Sequence, residues 1–491
     1  MKKIFLCVLS AILIILSFPK MSFWFLAWIS LVPLFLAIQN EKPLRSFLYG
    51  IFTGLMTYLG ILYWLIPTFS AAGEPKIIGI LVLLFLSFYL ALYYGLFCLF
   101  YSLLPTPYSL LPAFLWVFLE FIRTHLFTGF PWALLGYSQW NNLPIIQISE
   151  FTGIYGVSFL IVLVNLTIVK IIKERTLKGA TTNFLLVLIC LVFGFYKLKN
   201  IRTSEHQNIR TVSILQGNID QYKKWDEKYE QEILDKYSRL SLLPTPYSLL
   251  PALIVWPESS VPGFLKNDKK LYNWISDIAK KTKTQHLVVS NDYKNGKLYN
   301  SAFLVSSDAE ITDEYSKNHL VPFGEYMPLR NFLSKFIKVV NEIGEFSSGK
   351  KYNVINSSAG KLGVNICFEA IFPNEVRKSV RNGAEIIVNL TNDAWYLKTS
   401  APYQHFTMNV FRAVENRRFV VRAANTGVSG FIDPAGRVKS ETKIFETDVL
   451  SDKLFALNHI TFYTKFGDIF AYLCIVISII LLTFRKKFDK L

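Results

Sequence analysis

The chain has 491 residues, of which 52% are hydrophobic, 15% aromatic and only 18% charged. Soluble globular chains average about 25% charged residues, so this composition excludes a disordered chain, a coiled coil and an ordinary cytosolic enzyme. The formal net charge of +17 is compatible with a nucleic-acid partner. However, much of the basic excess flanks apolar runs, where it sets membrane topology and meets lipid head groups, so we expect no nucleic acid to bind.

Long apolar runs predict about eight transmembrane helices, because roughly 20 apolar residues cross the hydrocarbon core of a bilayer. The runs are 4–19, 22–39, 47–69, 77–103, 108–122, 154–172, 182–197 and 466–484. The first run resembles a signal peptide, but no small-residue cleavage site follows it, so we expect it to be retained. The predicted organisation is a membrane domain over 1–200 with about seven helices, a soluble domain over 210–455 and a C-terminal transmembrane helix over 466–484.

The basic clusters beside these runs predict the orientation of the chain, because positively charged loops stay in the cytoplasm. The loops at 40–45 and 170–178 and the tail at 485–490 are basic, which predicts that both termini are cytoplasmic. The segment 200–465 is then on the opposite side, which in a bacterium is the periplasm. We therefore expect a multi-pass protein of the bacterial inner (cytoplasmic) membrane.

Between residues 210 and 455 the pattern changes to short β-branched runs separated by amphipathic stretches. The runs that predict buried strands are TVSILQGNI, ALIVWPES, HLVVSNDY, SAFLVSS, LGVNICFE and EIIVNLTND. The helical patterns are KYEQEILDKYSRL, LYNWISDIAKKT and FPNEVRKSVRNG. This alternation predicts a layered α/β domain whose functional site lies at strand ends.

Three strand-end segments carry an ionisable residue that is suited to catalysis. They contain Glu258 in IVWPES, Lys317 in EYSKNHLVPFGEYMP and Cys367 in GVNICFEAIFP. A cysteine nucleophile needs a base to take its proton and a cation to stabilise the negative charge that forms on attack. Taken alone, a single cysteine at a strand end is more often a packing residue. The cysteine and histidine spacings contain no disulfide framework and no metal motif.

The order of these motifs resembles the Glu–Lys–Cys triad of the nitrilase superfamily: WPES, then KNHLVPFGE, then CFEAIFP. Other motifs are similar to those of the apolipoprotein N-acyltransferase family. In the soluble part these are LQGNIDQYKKWD, NDAWY, QHFTMNVFRAVENRR and VRAANTGVSGFIDPAG, and in the apolar part FTGFPW and GIYGVSFLIVLVN. The resemblance extends from about residue 20 to residue 483, so it covers both halves of the chain.

This resemblance implies an αββα sandwich for the soluble domain and an acyl-transfer reaction without a metal or other cofactor. The donor is a phospholipid, and the acceptor is the α-amine of the diacylglyceryl-cysteine of an apolipoprotein. The resemblance implies that Glu258 is the general base and that Lys317 stabilises the oxyanion. It implies that Cys367 is the nucleophile that carries the acyl chain as a thioester. The cycle is ping-pong, because the lysophospholipid leaves before the amine attacks.

Further residues are expected to have supporting roles, from their spacing around the triad or, for Glu325, Phe368 and Trp225, from positions in the family. Glu325 is expected to hold Lys317 or to shuttle protons, Asn300 to orient the triad, and Glu369 and Phe368 to flank the nucleophile. The family often has tyrosine where this chain has Phe368, so a phenylalanine brings no hydroxyl to this position. Trp225 is predicted to line the substrate pocket. The alternative for the two glutamates is simple ion pairing, and the alternative for a tryptophan is packing in the core.

Two segments suggest contact with lipid. In 329–340, LRNFLSKFIKVV, apolar residues that include Phe332 and Phe336 recur at helical spacing, which predicts an amphipathic lid at the bilayer surface. A helix packed on the domain core is the alternative. Trp395 and Tyr396 are predicted to form a second lip at head-group depth.

Two other classes of function remain open from the residues alone. A membrane-tethered nitrilase-type amidase or hydrolase would use the same triad and pass the acyl group to water. A scaffold or transporter would need no triad, but transporters usually carry polar sites within their spans, and these runs are nearly free of charge. Eight spans suit lipid substrates better than a small-amide hydrolase, and we expect a monomer.

Overall fold

The computed structural model describes residues 1–104, 110–177, 179–201, 209–243, 250–328 and 345–483, apart from the side chains of Trp225 and Leu481. The chain divides into two compact units. The helical unit comprises Met1–Ile201, Thr399–Glu415 and Thr461–Leu491, and the α/β unit comprises Arg202–Lys398 and Asn416–Ile460.

The helical unit is built from helices of very unequal length. The longer helices are Lys2–Ser17, Pro43–Ile61, Lys76–Ser102, Leu111–His125, Ile154–Glu174, Ala180–Asn200, Ala401–Asn416 and Ile469–Thr483. The short helices are Ala27–Ser30, Val32–Ile38, Leu65–Ala71, Leu143–Ile146, Ser149–Thr152 and Phe462–Phe466, with 3-10 turns at Trp24–Leu26 and Leu135–Gln139. The predicted helical N-terminal region is therefore confirmed.

Fewer helices than predicted have the length and composition of a membrane span. Among the described residues, Lys76–Ser102, Ile154–Glu174 and Ala180–Asn200 are long and apolar enough to cross a membrane. A fourth span results if Pro43–Ile61 and Leu65–Ala71, which are bent by 45°, are counted together. The prediction of about eight spans is therefore wrong in number.

The other apolar runs form helices that are too short or broken. The short ones are Lys2–Ser17, Leu111–His125 and Ile469–Thr483, with 16, 15 and 15 described residues. Crossing the hydrocarbon core takes roughly 20 residues. The run at 22–39 is divided among a 3-10 turn and two short helices. Counting apolar residues measures the hydrophobicity of a run but not the continuity of its helix, which explains the overestimate.

Asn165 stabilises the break in the run at 22–39. Its Oδ1 accepts hydrogen bonds from the backbone N–H groups of Leu31 at 2.8 Å and Val32 at 3.1 Å, and its Nδ2 donates to the Ala27 carbonyl at 3.0 Å. Unsatisfied backbone groups are costly in apolar surroundings. A single buried amide therefore satisfies the backbone where the helix is interrupted.

The α/β unit contains two six-stranded sheets. The strands are β1 (Arg210–Gln216), β2 (Leu253–Val255), β3 (Gln285–Lys294), β4 (Lys297–Val305), β5 (Ile311–Ser316), β6 (Ile355–Ser357), β7 (Gly360–Ile366), β8 (Ile386–Thr391), β9 (Phe419–Ala424), β10 (Gly430–Ile432), β11 (Val438–Glu441) and β12 (Asp448–Leu454). The first sheet has the order β12-β1-β2-β3-β4-β5 and the second the order β11-β10-β9-β8-β7-β6. Parallel pairs β1–β2–β3 and β7–β8–β9 form the centre of each sheet.

The two sheets pack face to face with helices on their outer sides. Val255 and Leu287 of the first sheet share a core with Ile366 and Leu390 of the second. The helices Glu230–Ser241 and Lys269–Thr282 cover the outer face of the first sheet, and Pro373–Arg381 contacts β7 and β8 of the second. The predicted layered α/β domain is therefore confirmed. Central parallel strands are buried on both faces, and their carboxyl ends lie at one edge of each sheet, where the site is built.

Candidate active site

Glu258, Lys317 and Cys367 come together although they are far apart in sequence. Each follows the end of a strand: Glu258 follows β2, Lys317 follows β5 and Cys367 follows β7. Lys317 Nζ lies 3.6 Å from Glu258 Oε1, and the charges of both residues act on the Cys367 thiol. The structure therefore brings the three predicted residues into one cluster.

Lys317 is a buried cation between two carboxylates. Its ammonium lies 2.7 Å from Glu325 Oε1 as well as 3.6 Å from Glu258 Oε1. Burial lowers the pKa of Lys317, but Glu325 and Glu258 raise it by more, so the net shift is upward from its ordinary value. Lys317 consequently stays protonated at neutral pH and keeps a positive charge at the site.

The Glu258 carboxylate is held by donors on both oxygens. Oε1 accepts from Asn300 Nδ2 at 2.8 Å, and Oε2 accepts from the backbone N–H of Asn392 at 2.9 Å. Asn300 Nδ2 also lies 3.4 Å from Glu325 Oε1, so it links the two carboxylates. Glu258 is only 6% exposed. The contacts of Asn300 are those of a residue that could orient Glu258, and this role stays a prediction.

Cys367 lies at a strained turn at the end of β7. It is the first residue of the 3-10 helix Cys367–Ile371, with φ at +52°. A left-handed conformation is uncommon for a residue with a side chain and clusters at functional sites. Burial and the Glu258 charge raise the pKa of the Cys367 thiol, while Lys317 lowers it by less, so the net shift is upward. The resting side chain of Cys367 is therefore a thiol.

Glu369 fixes the turn that carries Cys367. Its Oε2 accepts from the Ile366 N–H at 2.6 Å, and its Oε1 accepts from the N–H groups of Asn318 at 2.6 Å and His319 at 3.1 Å. The Tyr315 hydroxyl also donates to this carboxylate, at 2.9 Å to Oε1. Burial raises the pKa of Glu369, although these donors and Lys317 oppose the shift. Glu369 thus ties the Cys367 turn to the loop after β5.

Phe368 supports the same turn through packing. It is buried, and its ring centroid lies 5.2 Å from Phe372 and 6.0 Å from His319. His319 and Phe372 stack with ring centroids 3.8 Å apart. This aromatic cluster directly follows Cys367 in the chain.

The residues predicted to contact substrate divide into three groups. Tyr396 is half-buried, and burial, followed by the charge at Cys367, raises its pKa well above the ordinary value. Trp395 is 37% exposed. Trp225 ends the 3-10 turn Lys223–Trp225, but its side chain is outside the described part, as are Phe332 and Phe336 with the rest of the predicted lid.

A buried network behind Cys367 was not predicted from the sequence. The Thr391 hydroxyl donates to Asp393 Oδ1 at 3.1 Å, and Asp393 Oδ2 accepts from Arg422 Nη2 at 2.8 Å. Arg422 also donates to Asn389, whose Nδ2 lies 3.4 Å from the Cys367 carbonyl. Burial has the largest effect on the pKa of the Cys367 thiol and raises it, and the Thr391 hydroxyl lowers it by less than Lys317 does.

Lys224 is a second unpredicted residue beside the triad. It is 3% exposed, and its Nζ donates to the backbone carbonyl of Glu258 at 3.1 Å. Burial lowers the pKa of Lys224 to about 7, and the nearby Glu258 charge offsets only part of this shift. Only NLTND, at the end of β8, carries a strand-end signal for these residues, since Lys224 lies in the turn Lys223–Trp225 and Arg422 lies within β9. Within the described residues, no group of three or more His, Cys, Asp or Glu side chains is arranged to hold a metal ion.

The fold and this cluster define a carbon-nitrogen hydrolase domain joined to a helical unit. The family model for the apolipoprotein N-acyltransferase N-terminal domain matches residues 10–167, and the carbon-nitrogen hydrolase model matches residues 211–454. Among solved structures, Nit3 of Saccharomyces cerevisiae, a member of branch 10 of the nitrilase superfamily, is 20% identical with a TM-score of 0.40, covering 50% of this chain and 90% of that chain.

Full-length relatives give the narrower assignment. The apolipoprotein N-acyltransferase of Geobacter metallireducens is 40% identical, covering 98% of this chain and 95% of the relative. The apolipoprotein N-acyltransferase of Pasteurella multocida is 31% identical, covering 98% of this chain and 94% of the relative. The chain therefore belongs to the apolipoprotein N-acyltransferase family, and the family assignment made from its motifs is confirmed.

Proposed function

We propose that this acyltransferase moves an acyl chain from a phospholipid to the N-terminal amine of the diacylglyceryl-cysteine of an apolipoprotein, the last step of lipoprotein maturation. The observation that carries the proposal is the buried contact of Lys317 with Glu258 and Glu325 beside the half-buried Cys367. It occurs in a chain whose full-length relatives are named for this activity.

In the first half-reaction Cys367 becomes acylated. The Glu258 carboxylate takes the Sγ proton, and the thiolate attacks the ester carbonyl carbon of the phospholipid. The resulting oxyanion is stabilised by the Lys317 ammonium and by the backbone N–H of Phe368, because preorganised donors at a developing charge lower the barrier. The C–O bond to the glycerol then breaks, and Glu258 returns the proton to the departing lysophospholipid oxygen.

In the second half-reaction the amine of the acceptor attacks the thioester carbonyl. The neutral amine forms the C–N bond and transfers one proton to Glu258 as the tetrahedral intermediate collapses. The C–S bond breaks, and Glu258 protonates the leaving thiolate, which restores the Cys367 thiol. The Lys317 charge serves both half-reactions, because each passes through an oxyanion at the same position.

The proposed setting is the inner membrane of a bacterium. The helical unit associates with the membrane, and we place the α/β unit on the periplasmic side with both termini in the cytoplasm. Support comes from basic residues near the predicted inner loops, such as Lys42, Arg45 and Lys173. We propose a monomer that takes both the phospholipid and the apolipoprotein from the bilayer.

An intact-mass experiment tests the reaction. Purified enzyme is incubated with phosphatidylethanolamine beside the variant Cys367→Ala. A mass increase of one acyl chain, labile to hydroxylamine and absent from the variant, identifies the thioester. A diacylated lipopeptide should then discharge the thioester to a triacylated product. Release of free fatty acid in its place would indicate a hydrolase, and a folded wild-type enzyme that never acylates would contradict the mechanism.

A further inference from the structure

Two buried asparagines directly follow neighbouring strands of the second sheet. Asn392 comes after β8 and Asn425 after β9, and they are 5% and 0% exposed. The Asn425 backbone N–H donates to the Thr391 carbonyl at 3.1 Å, which continues the parallel pairing of β8 and β9. The two side chains also bond to each other, because Asn425 Nδ2 donates to Asn392 Oδ1 at 3.1 Å. The pair is therefore fixed at the carboxyl ends of these strands.

Asn425 joins this pair to the loop after β1 in the first sheet. Its Oδ1 accepts from the Ile219 backbone N–H at 2.9 Å, and its Nδ2 donates to the Ile219 carbonyl at 2.8 Å. The Asn425 carbonyl accepts from the Asn218 N–H at 2.8 Å. A side-chain amide has both a donor and an acceptor, so one asparagine satisfies both backbone groups of Ile219. The loops after β1 and β9 are thereby tied together.

Asn392 connects the pair to Glu258. Its backbone N–H donates to Glu258 Oε2 at 2.9 Å. Its side chain is held from three directions, because Oδ1 accepts from the Ala394 N–H at 3.4 Å and from Asn425, and Nδ2 donates to Gln221 Oε1 at 2.6 Å. These side-chain bonds fix the direction in which the Asn392 backbone N–H points.

The position of Glu258 relative to Cys367 depends on how the two sheets are joined. Glu258 follows β2 of the first sheet, and Cys367 follows β7 of the second. A general base has to lie within hydrogen-bond reach of the proton that it takes, and a misplacement of about 1 Å can slow a reaction by about 100-fold. The N–H of Asn392 is a donor from the second sheet to a carboxylate of the first, so it acts directly on this distance.

We propose that Asn392 and Asn425, with Gln221 as a further anchor, position the Glu258 carboxylate to take the proton of Cys367. The side chains hold the Asn392 backbone N–H against Oε2 of the base. Both asparagines act through Glu258 and are therefore positioning residues. The inference rests on the proposed function for the role of Glu258 as the base, and it gives a role to the asparagines of the NDAWY and VRAANTGVSGFIDPAG motifs.

Single-turnover acylation of the full-length protein by phosphatidylethanolamine tests the proposal. The variants Asn392→Ala and Asn425→Ala both keep the backbone N–H of residue 392, so any effect on the base comes from its position. We expect the thioester to form about 10- to 100-fold more slowly at saturating lipid, with the lipid concentration for half saturation unchanged. The pH of the half-maximal rate should rise, because an N–H donor favours the ionised form of a carboxylate.

Alkylation of Cys367 by iodoacetamide gives a second readout that needs no acyl transfer. Its rate is followed on the Cys367 peptide by mass spectrometry, as a function of pH. Asn425→Ala should slow alkylation and move its pH profile in the same direction as that of acylation. In a Glu258→Gln background, Asn425→Ala should cause no further loss, because residues that act through one group are not additive. A purely structural role would slow the reaction equally in both backgrounds.

Two further variants serve as controls. Ser213→Ala removes a buried hydrogen bond of 2.7 Å to Ser451 between β1 and β12, and it should keep the rate and the pH profile of the wild type. Asn425→Asp keeps the acceptor for the Ile219 N–H but loses both Nδ2 donations, so it should behave like Asn425→Ala.

The outcomes separate this inference from the proposed function. Wild-type rates and pH profiles in folded Asn392→Ala and Asn425→Ala overturn the inference and leave the proposed function intact, as does additive slowing in the Glu258→Gln background. If the wild type never acylates, the proposed function fails and the alkylation profiles decide the inference. If neither asparagine variant folds, Gln221→Ala takes their place, since it removes only the bond to Asn392 from a half-buried residue. An unchanged pH profile in that variant overturns the inference.

Discussion

The Lys317 ammonium lies closer to Glu325 than to the proposed base, 2.7 Å from Glu325 Oε1 against 3.6 Å from Glu258 Oε1. Glu325 is itself anchored, because its Oε2 accepts from the Val321 backbone N–H at 2.8 Å. The closer carboxylate therefore holds the cation in place. This arrangement leaves Glu258 less tightly paired and available to accept the thiol proton.

The variant Glu325→Gln tests whether Glu325 holds Lys317 in place while Glu258 accepts the thiol proton. It retains hydrogen-bonding capacity but removes a charge that raises the pKa of Lys317, and it lets Lys317 move toward Glu258. We expect thioester formation to slow by about 10- to 100-fold, less than the 10²–10³ typical of removing an oxyanion donor outright. Single-turnover acylation followed by intact mass measures the rate. Glu310→Gln, at an exposed residue, is the control, and an equal loss there would contradict the argument.

The pH dependence of stability tests the burial of Lys224. Its pKa is about 7 in the folded protein and about 10.4 in an unfolded chain. Between these values the unfolded state binds more protons than the folded state, so stability rises with pH. The contribution of Lys224 is about 1.4 kcal/mol per pH unit across this window. Below pH 7 both states are protonated, and the buried charge penalises folding fully.

Lys224→Met should remove this penalty. We expect the variant to have a higher thermal unfolding midpoint than wild type at pH 7, and the difference to shrink as the pH approaches 10. Lys223→Met, at a neighbouring lysine whose side chain is 41% exposed, should give no such trend. Thermal scans in detergent at several pH values measure both variants. A difference in unfolding midpoint that does not change with pH would mean that folding does not lower the pKa of Lys224.

The parts of the site that could be predicted are those set by strand ends. All six predicted strand runs are present, as β1, β2, β3, β4, β7 and β8. Because a buried strand has a recognisable composition and its end is marked by a polar residue, Glu258 and Cys367 could be placed at one edge without coordinates. Lys317 follows β5, a mostly half-buried strand that was not among the predicted runs, although Lys317 itself was placed in a strand-end segment from the sequence.

The parts that could not be predicted depend on distance in space. Arg422 lies on β9, 29 residues beyond Asp393, and only the parallel pairing of β8 with β9 brings them together. The helix breaks were also hidden, because Asn165 satisfies the Leu31 and Val32 backbone from a helix more than 130 residues away. Composition along the chain contains neither kind of information.

The Glu369 carboxylate is expected to be needed for the shape of the nucleophile turn. Glu369→Gln replaces one acceptor oxygen with an NH₂ group that faces backbone donors, and an unsatisfied buried group costs about 1–3 kcal/mol. Tyr315→Phe removes one of the donors to Glu369 and should cost about 1 kcal/mol. Thermal unfolding and thioester formation are measured together. Glu369→Gln should be worse than Tyr315→Phe in both measurements, and the reverse order would show that the carboxylate does not anchor the turn.

Thr391 is expected to act on the reaction through Cys367 and not through stability alone. Its hydroxyl donates to Asp393 Oδ1 at 3.1 Å, and after Lys317 it is the second group that opposes the upward shift that burial gives the pKa of the thiol. Thr391→Val keeps the volume but loses the hydroxyl, so the thiol becomes harder to deprotonate. We expect thioester formation to slow by about tenfold, which corresponds to about 1.4 kcal/mol. Thr391→Ser restores the hydroxyl and should recover most of the rate, even though it removes a methyl group. A rate that follows the methyl group and not the hydroxyl would assign Thr391 to packing.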